Sequence, residues 1–267
     1  MPTSYAHHKF GQQVLEQLTP DLQKPIQKET ELYELGLNGP DLFFFYRPYI
    51  YKNEVNQLGY GMHDEAALPF FRHAAKIARK DGFPADEMAY LYGFIAHFVL
   101  DCTCHRYIYE LTAESSLTHQ EIESELDRVL MEADGIDPVT HRQTEEFHAT
   151  MHNAEVISRF FPTSADEVYI SIHQCKRYKN LLVSPSREDQ ERRFKLVNKT
   201  PLAPKLDGFM MNLKPDHECD QSNQELLKRM NQAVPDAVTL IGDFISNAKG
   251  EKPFSELYRY DFCGNKH

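Results

Sequence analysis

Residues 85–113 read as one long buried helix, and inside its apolar run GFIAHFVLDCTCHRYI (93–108) stand His97, Asp101 and His105. A helix that is apolar on most of its surface belongs inside a protein. The three ionisable residues are four apart, so they share one helical face and touch any partner together. A satisfied core residue is the ordinary reading of any single one of them. Three stacked on one face strain that reading, because burying a carboxylate without a compensating charge costs several kcal/mol. A divalent cation removes that cost.

Apolar positions spaced three and four apart recur through the first two thirds of the chain. They predict helices over 8–18, 21–34, 64–80, 85–113, 118–132 and 138–160, with a further pair over 164–182 and 222–247. Thr19-Pro20-Asp21 and Thr118 are suitable starts for two of these. No run alternates with period two, so no sheet is expected. The expected fold class is all-α, a single-domain helical bundle. Residues 1–183 form its core, the polar, proline-bearing 184–223 a loop or helix-loop insertion, and 224–267 a C-terminal helix with a tail. That tail packs on the body through Phe254, Leu257, Tyr258, Tyr260 and Phe262.

With 267 residues, 41% of them hydrophobic, the chain can bury a substantial core. No apolar run approaches the roughly 18 to 20 residues that span a bilayer, and MPTSYAHHKFGQQ lacks the basic-then-apolar pattern of a signal peptide. A cytoplasmic location is the expectation. Five cysteines, an odd number, point to free thiols used for packing. A net charge of −11 argues against duplex nucleic acid or an anionic membrane as partner. Positive charge for an anionic substrate has to be supplied locally.

Other residues extend the constellation. LTHQEIESELDRVL places His119 and Glu123 one turn apart, with Asp127 a further turn along, so one helix offers an imidazole and a carboxylate to the same ion. HRQTE repeats the spacing with His141 and Glu145, which shows how often it arises by chance; His141, His148 and His152 read as solvated helix-face residues. GLNGPDLFFFYRP presents Asp41 after a Gly-Pro turn and before four aromatic residues, either as a helix cap or as a ligand at the mouth of an apolar wall. GYGMHDEAALPFF puts His63 in a glycine-flanked loop before a helix, and SYAHHKFGQQV offers His7 or His8 at the opening of the first helix.

In order, the set is a histidine near the N-terminus, Asp41 after Gly-Pro, His63, then His97-x3-Asp101-x3-His105, then His119-x3-Glu123. Over residues 5 to 130 this resembles the zinc-dependent phospholipase C family, whose fold is shared with single-strand nucleases that use three zinc ions. The resemblance implies two or three zinc ions. One would be held by Asp41, His63, His97 and Asp101, a second by His105, His119 and Glu123, and a third by His7, a bridging Asp101 and the chain's own N-terminus. Its implied activity is hydrolysis of a phosphodiester, small or part of a lipid headgroup, by attack of a zinc-bound hydroxide on phosphorus. Asp41 would orient or deprotonate the water, and Asp127 and Glu65 would steady the ligand histidines. From the residues themselves, Arg47 and Arg106 are either phosphate contacts or solvated helix-end arginines, and of the rings of Phe43, Phe44, Phe45, Tyr46, Tyr49 and Tyr51 at least half are expected in the core, the others walling a headgroup or stacking on a base. The alternatives are a single-strand nuclease or nucleotide phosphodiesterase, and a non-catalytic metal-binding protein.

Overall fold

The computed structural model describes residues 4–50, 53–199 and 208–267, and over these the chain is an all-α protein without a strand. Its helices are α1 (Ser4–Gln17), α2 (Pro20–Lys28), α3 (Thr30–Gly36), α4 (Glu54–His63), α5 (Leu68–Asp81), α6 (Ala85–Glu114), α7 (His119–Ala133), α8 (Met151–Ser158), α9 (Ala165–Leu182), α10 (Arg187–Val197) and α11 (Asp220–Lys249). Three short 3-10 turns cover Gly39–Phe45, His217–Cys219 and Glu256–Arg259. No helix among the described residues is long and apolar enough to cross a membrane.

Helix α6 is the axis. Nineteen of its residues are buried, including every position from Glu87 to Asp101, and α1, α2, α3, α7 and α11 all pack against it. The closest approach is to α3. A methyl on Gly93 would overlap the Tyr33 carbonyl oxygen and one on Gly36 the Tyr90 carbonyl oxygen, so the two backbones touch where both helices carry glycine. This crossing sets the Gly39–Phe45 turn, which directly follows α3, over the middle of α6.

Boundaries differ from expectation where polar side chains compete for the backbone. The predicted 21–34 helix breaks at Glu29 (φ −129°) into α2 and α3. The predicted 138–160 helix shrinks to α8. Asp137 draws the Val139 amide (3.2 Å) and the Thr140 hydroxyl (3.2 Å) into a local turn, and the Thr150 hydroxyl caps α8 by accepting from the Asn153 amide at 3.1 Å. Residues 54–63, outside the expected helices and with His63 expected in a loop, form α4, started by the Asn53 side chain accepting from the Asn56 amide at 2.9 Å. Within 184–223 lies α10, capped by Ser186, and α11 begins at Asp220. The tail carries Tyr258 and Phe262 into the core, with Phe254, Leu257 and Tyr260 packed at its edge. All five cysteines are buried free thiols.

Candidate metal centre

Four helices and the Gly39 turn deliver eight side chains to one place. His7 comes from the first turns of α1, Asp41 from the turn, His63 from the last residue of α4, His97, Asp101 and His105 from successive turns of α6, and His119 and Glu123 from the start of α7. Helix α7 opens with a complete capping box between Thr118 and Glu121, which fixes the turn from which His119 projects.

Asp101, 2% exposed, sits in the middle. Its carboxylate lies 3.1 Å from His7 Nε2, 3.0 Å from His97 Nε2, and 3.8 Å from both His63 Nε2 and His105 Nε2. Asp41 Oδ1 is 3.2 Å from His63 Nε2. Glu123 Oε1 is 2.9 Å from His119 Nε2 and 3.3 Å from His105 Nε2. Three groups each bring their ligand atoms within 4.8 Å of one another: His7, His97 and Asp101; Asp41, His63 and His97; and His105, His119 and Glu123.

Backbone carbonyls orient three of the rings. His63 Nδ1 donates to the Gly59 carbonyl (2.7 Å), His97 Nδ1 to that of Leu37 (3.1 Å) and His105 Nδ1 to that of Phe262 (2.9 Å). A carbonyl only accepts, so each contact places the hydrogen on Nδ1 and leaves the Nε2 lone pair facing a carboxylate. Two acceptors at about 3 Å repel unless a proton or a metal ion lies between them. Tetrahedral zinc with bonds of about 2.0–2.1 Å separates its ligand atoms by roughly 3.3 Å, so the observed contacts fit zinc. Both carboxylate oxygens of Asp41, one of Asp101 and Nε2 of His97 are buried without a hydrogen-bond partner among the described residues. Leaving such atoms unpaired costs about 1–3 kcal/mol each.

The groups polarise one another in the same sense. Burial alone would raise the Asp101 carboxyl, but the rings of His105, His97 and His7 outweigh it and hold it well below the usual carboxylate range. Burial opposes protonation of His105, and the charges of Asp101 and Glu123 overcome this to push it up to about 9. His63 is raised by Asp41 against its own desolvation, whereas burial beside His97 lowers His7. The carboxylates of the centre thus favour positive charge beside them, on His105 and His63 and against burial.

The centre opens into a cleft of about 390 Å³ lined by Asp41, His63, His105, His119 and Glu123 together with Phe44, Tyr60, Asp64, Tyr109, Gln120 and Cys263. Phe44 and Tyr60 stack at 4.5 Å on one wall, and Tyr109 crosses the His119 ring edge-on at 5.2 Å. Tyr60, Tyr109 and Gln120 carry no spacing that marks them in the sequence. The carbonyls of Gly59, Leu37 and Phe262 belong to the backbone, which residue identity does not report.

Other expected residues lie elsewhere. His8 turns away to Glu34 (2.9 Å), so of the adjacent pair only His7 enters the centre. The expected N-terminal amine lies outside the described residues. Asp41 caps no helix; Asn38 precedes its turn. Phe43, Phe45 and Tyr46 are core, Tyr49 is exposed, and Tyr51 lies outside the described residues. Arg47 lies over the Tyr46 ring and Arg106 pairs with Glu110 at the surface, and neither lines the cleft. His148 and His152 face Glu31 and Asp86 at the surface.

Glu65 is exposed, and Asp127 faces α1 instead of a histidine. Its carboxylate accepts from the backbone amides of Ala6 (2.8 Å) and Tyr5 (3.3 Å), anchoring the turn that carries His7. Burial pushes the Asp127 carboxyl up to about 7 against the pull of those amides and of Lys179. The ordinary unfolded value is about 3.9, so between there and about 7 the native state keeps a proton that the unfolded chain has lost. Stability from this group is therefore full at low pH and lost as pH rises through 7. In metal-free protein, urea midpoints measured from pH 5 to 8 are expected to fall more steeply for the wild type than for Asp127→Asn, which cannot ionise.

A model of the zinc dependent phospholipase C family matches residues 6–175. Neither the curated proteins nor the solved structures return a match. The family match spans more than half of the chain and contains all eight residues of the centre, and on that ground the chain belongs to the zinc dependent phospholipase C family.

Proposed function

We propose that the protein is a zinc-dependent hydrolase of phosphodiesters, phospholipase C-like, acting on a small diester or a lipid headgroup. The observation that carries this reading is the set of histidine Nε2 atoms held against carboxylate oxygens at 3.0 to 3.3 Å, with the Nδ1 atoms of the same rings on backbone carbonyls. Asp41, His63, His97 and Asp101 would hold one ion, His105, His119 and Glu123 a second, and His7 with Asp101 a third.

Bound zinc would supply a water acidified to near neutrality and positive charge against the phosphoryl oxygens. The chain's own groups do the rest. Asp41 faces the cleft with neither oxygen committed to a hydrogen bond, so it is placed to orient the attacking water and take its proton. Phe44, Tyr60 and Tyr109 wall the space beside it, and the cleft's volume suits a small ligand. The cleft is open, and residues 184–199 and 208–223 contribute nothing to its lining, which supports a catalytic role over a sealed structural one. Its described lining carries no lysine or arginine, which together with the net charge of −11 supports a short diester over a polynucleotide.

The test is elemental analysis of protein purified without chelators, alongside hydrolysis of a chromogenic phosphodiester before and after metal removal. Two or three zinc ions per chain are expected, with turnover lost on removal and regained with zinc. Metal-free protein that neither takes up zinc nor turns over would overturn the proposal.

A further inference from the structure

The family match ends at residue 175, yet the last turn of the chain is built into the centre. The Phe262 carbonyl accepts from His105 Nδ1 at 2.9 Å. The Phe262 ring lies 5.3 Å from that of His63 and 5.8 Å from that of His97, and Cys263 lines the cleft. His63 and His97 take their carbonyls from Gly59 and Leu37, within the matched region. His105 alone of the three takes its partner from the chain's end.

That end is held in place from three sides. Asp261, buried, accepts from the backbone amide of Asn265 (2.8 Å) and from its side chain (3.1 Å), and lies 2.9 Å from His267 Nε2. The Tyr260 carbonyl accepts from the Ala67 amide at 3.0 Å, tying the turn to the start of α5. Gly264 has φ +78°, and a methyl there would stand 2.7 Å from the Cys102 carbonyl oxygen on α6, so glycine lets the turn press onto the helix that carries His105.

We infer that the turn Tyr260–His267 is a positioning element for the site of His105, His119 and Glu123. By offering a carbonyl and no donor, it keeps the His105 hydrogen on Nδ1 and aims the Nε2 lone pair at Glu123. With the carbonyl withdrawn, the ring is free to take the other tautomer, whose Nε2 hydrogen points at Glu123 Oε1 and closes the nitrogen to a metal. The inference rests on the metal-centre reading for its functional meaning, and its geometric half is measurable without metal.

The experiment pairs Gly264→Ala and Asp261→Asn with Ile157→Ala, a cavity variant on α8, which contributes nothing to the centre. Nitrogen-15 histidine spectra of metal-free protein, taken above the value of about 9 to which His105 is pushed so that its ring is neutral, with His105→Gln to assign the signal, report the tautomer. Chelator competition followed by elemental analysis reports how many zinc ions each chain loses at each chelator concentration. In the wild type, His105 is expected to carry its hydrogen on Nδ1. In Gly264→Ala and Asp261→Asn the signal should shift toward the other tautomer, and one zinc per chain should be lost at 10- to 100-fold lower chelator concentration, about the range for removing such partners. Ile157→Ala should lower Tm without either change. An unchanged tautomer in both tail variants, or uniform weakening of every zinc that Ile157→Ala reproduces, would overturn the inference. A wild type with the expected tautomer but no zinc would overturn the metal-centre reading, while the tail variants' spectra would still decide the turn's role.

Discussion

Asp41→Asn is expected to lower turnover of a phosphodiester by about 10³-fold or more, and at the same time to leave the metal-free protein as stable as the wild type or more so. The two halves follow from one observation. Asp41 is 2% exposed, and neither of its oxygens has a hydrogen-bond partner among the described residues. Among the described residues its ion-pair partner is His63 Nε2 at 3.2 Å, and a buried carboxylate so thinly paired is a liability to the fold that a metal ion offsets, so an uncharged amide of the same shape relieves the metal-free state. With zinc the order reverses. The amide binds the ion more weakly and takes no proton from water, and loss of a positioned general base typically costs about 10² to 10⁴ in rate. Because a ligand stabilises a protein in proportion to its preference for the native state, the Tm gain on adding zinc should shrink in the variant. Thermal melts with and without zinc, beside kcat for the chromogenic diester, check both halves. A variant that melts far below the wild type without metal would mean that Asp41 serves the fold, and full turnover would remove it from the reaction.

The all-α class and the family were legible in the sequence because both are written in side chains. Periodicity exposed the helices, and the order of histidines and carboxylates exposed the family, even though the centre is assembled from four helices and a turn. Spacing on a helix fixes which side chains share a face, so His97, Asp101 and His105 were grouped from their interval alone. Spacing does not fix what faces them. Asp127 continues the His119–Glu123 face by interval, yet its carboxylate is taken by the amides at the start of α1. His63 was expected in a loop because two glycines flank it, and it instead ends α4, where its own helix supplies the Gly59 carbonyl. The predicted helix over 138–160 failed for a similar reason. Its apolar pattern is adequate, but Asp137 and Thr150 bind nearby backbone in turns and caps, and periodicity does not weigh that competition. The contribution of Phe262 was beyond reach: the tail was read as packing, and the group that meets His105 is a carbonyl that every residue possesses.

Gly39 ties the turn to the centre, and Gly39→Ala is expected to damage both the fold and the centre. Its φ of +49° is one that an alanine adopts at a cost of about 1–2 kcal/mol. Gly82, at φ +80° behind α5, pays the same kind of strain, with no atom within 4 Å of an added methyl. Gly82→Ala therefore measures strain alone. At Gly39 the added methyl would also stand 2.6 Å from His97 Cγ and overlap the ring's Cδ2 and Nε2. The ring cannot yield, because it is fully buried, donates to the Leu37 carbonyl at 3.1 Å and stacks on His7 with centroids 4.3 Å apart. Overpacking of this kind typically adds about 1–3 kcal/mol, so Gly39→Ala should lose clearly more stability than Gly82→Ala. The larger consequence is chemical. His97 Nε2 belongs both to the group with Asp41 and His63 and to the group with His7 and Asp101, so moving one ring disturbs two candidate ion sites together. Zinc content is expected to fall at both, with the His105, His119 and Glu123 site retained, and hydrolysis should drop with it. If Gly39→Ala melts with Gly82→Ala and keeps its full complement of zinc, the turn does not press on His97 in solution, and the placement of Asp41 against that ring would have to be abandoned.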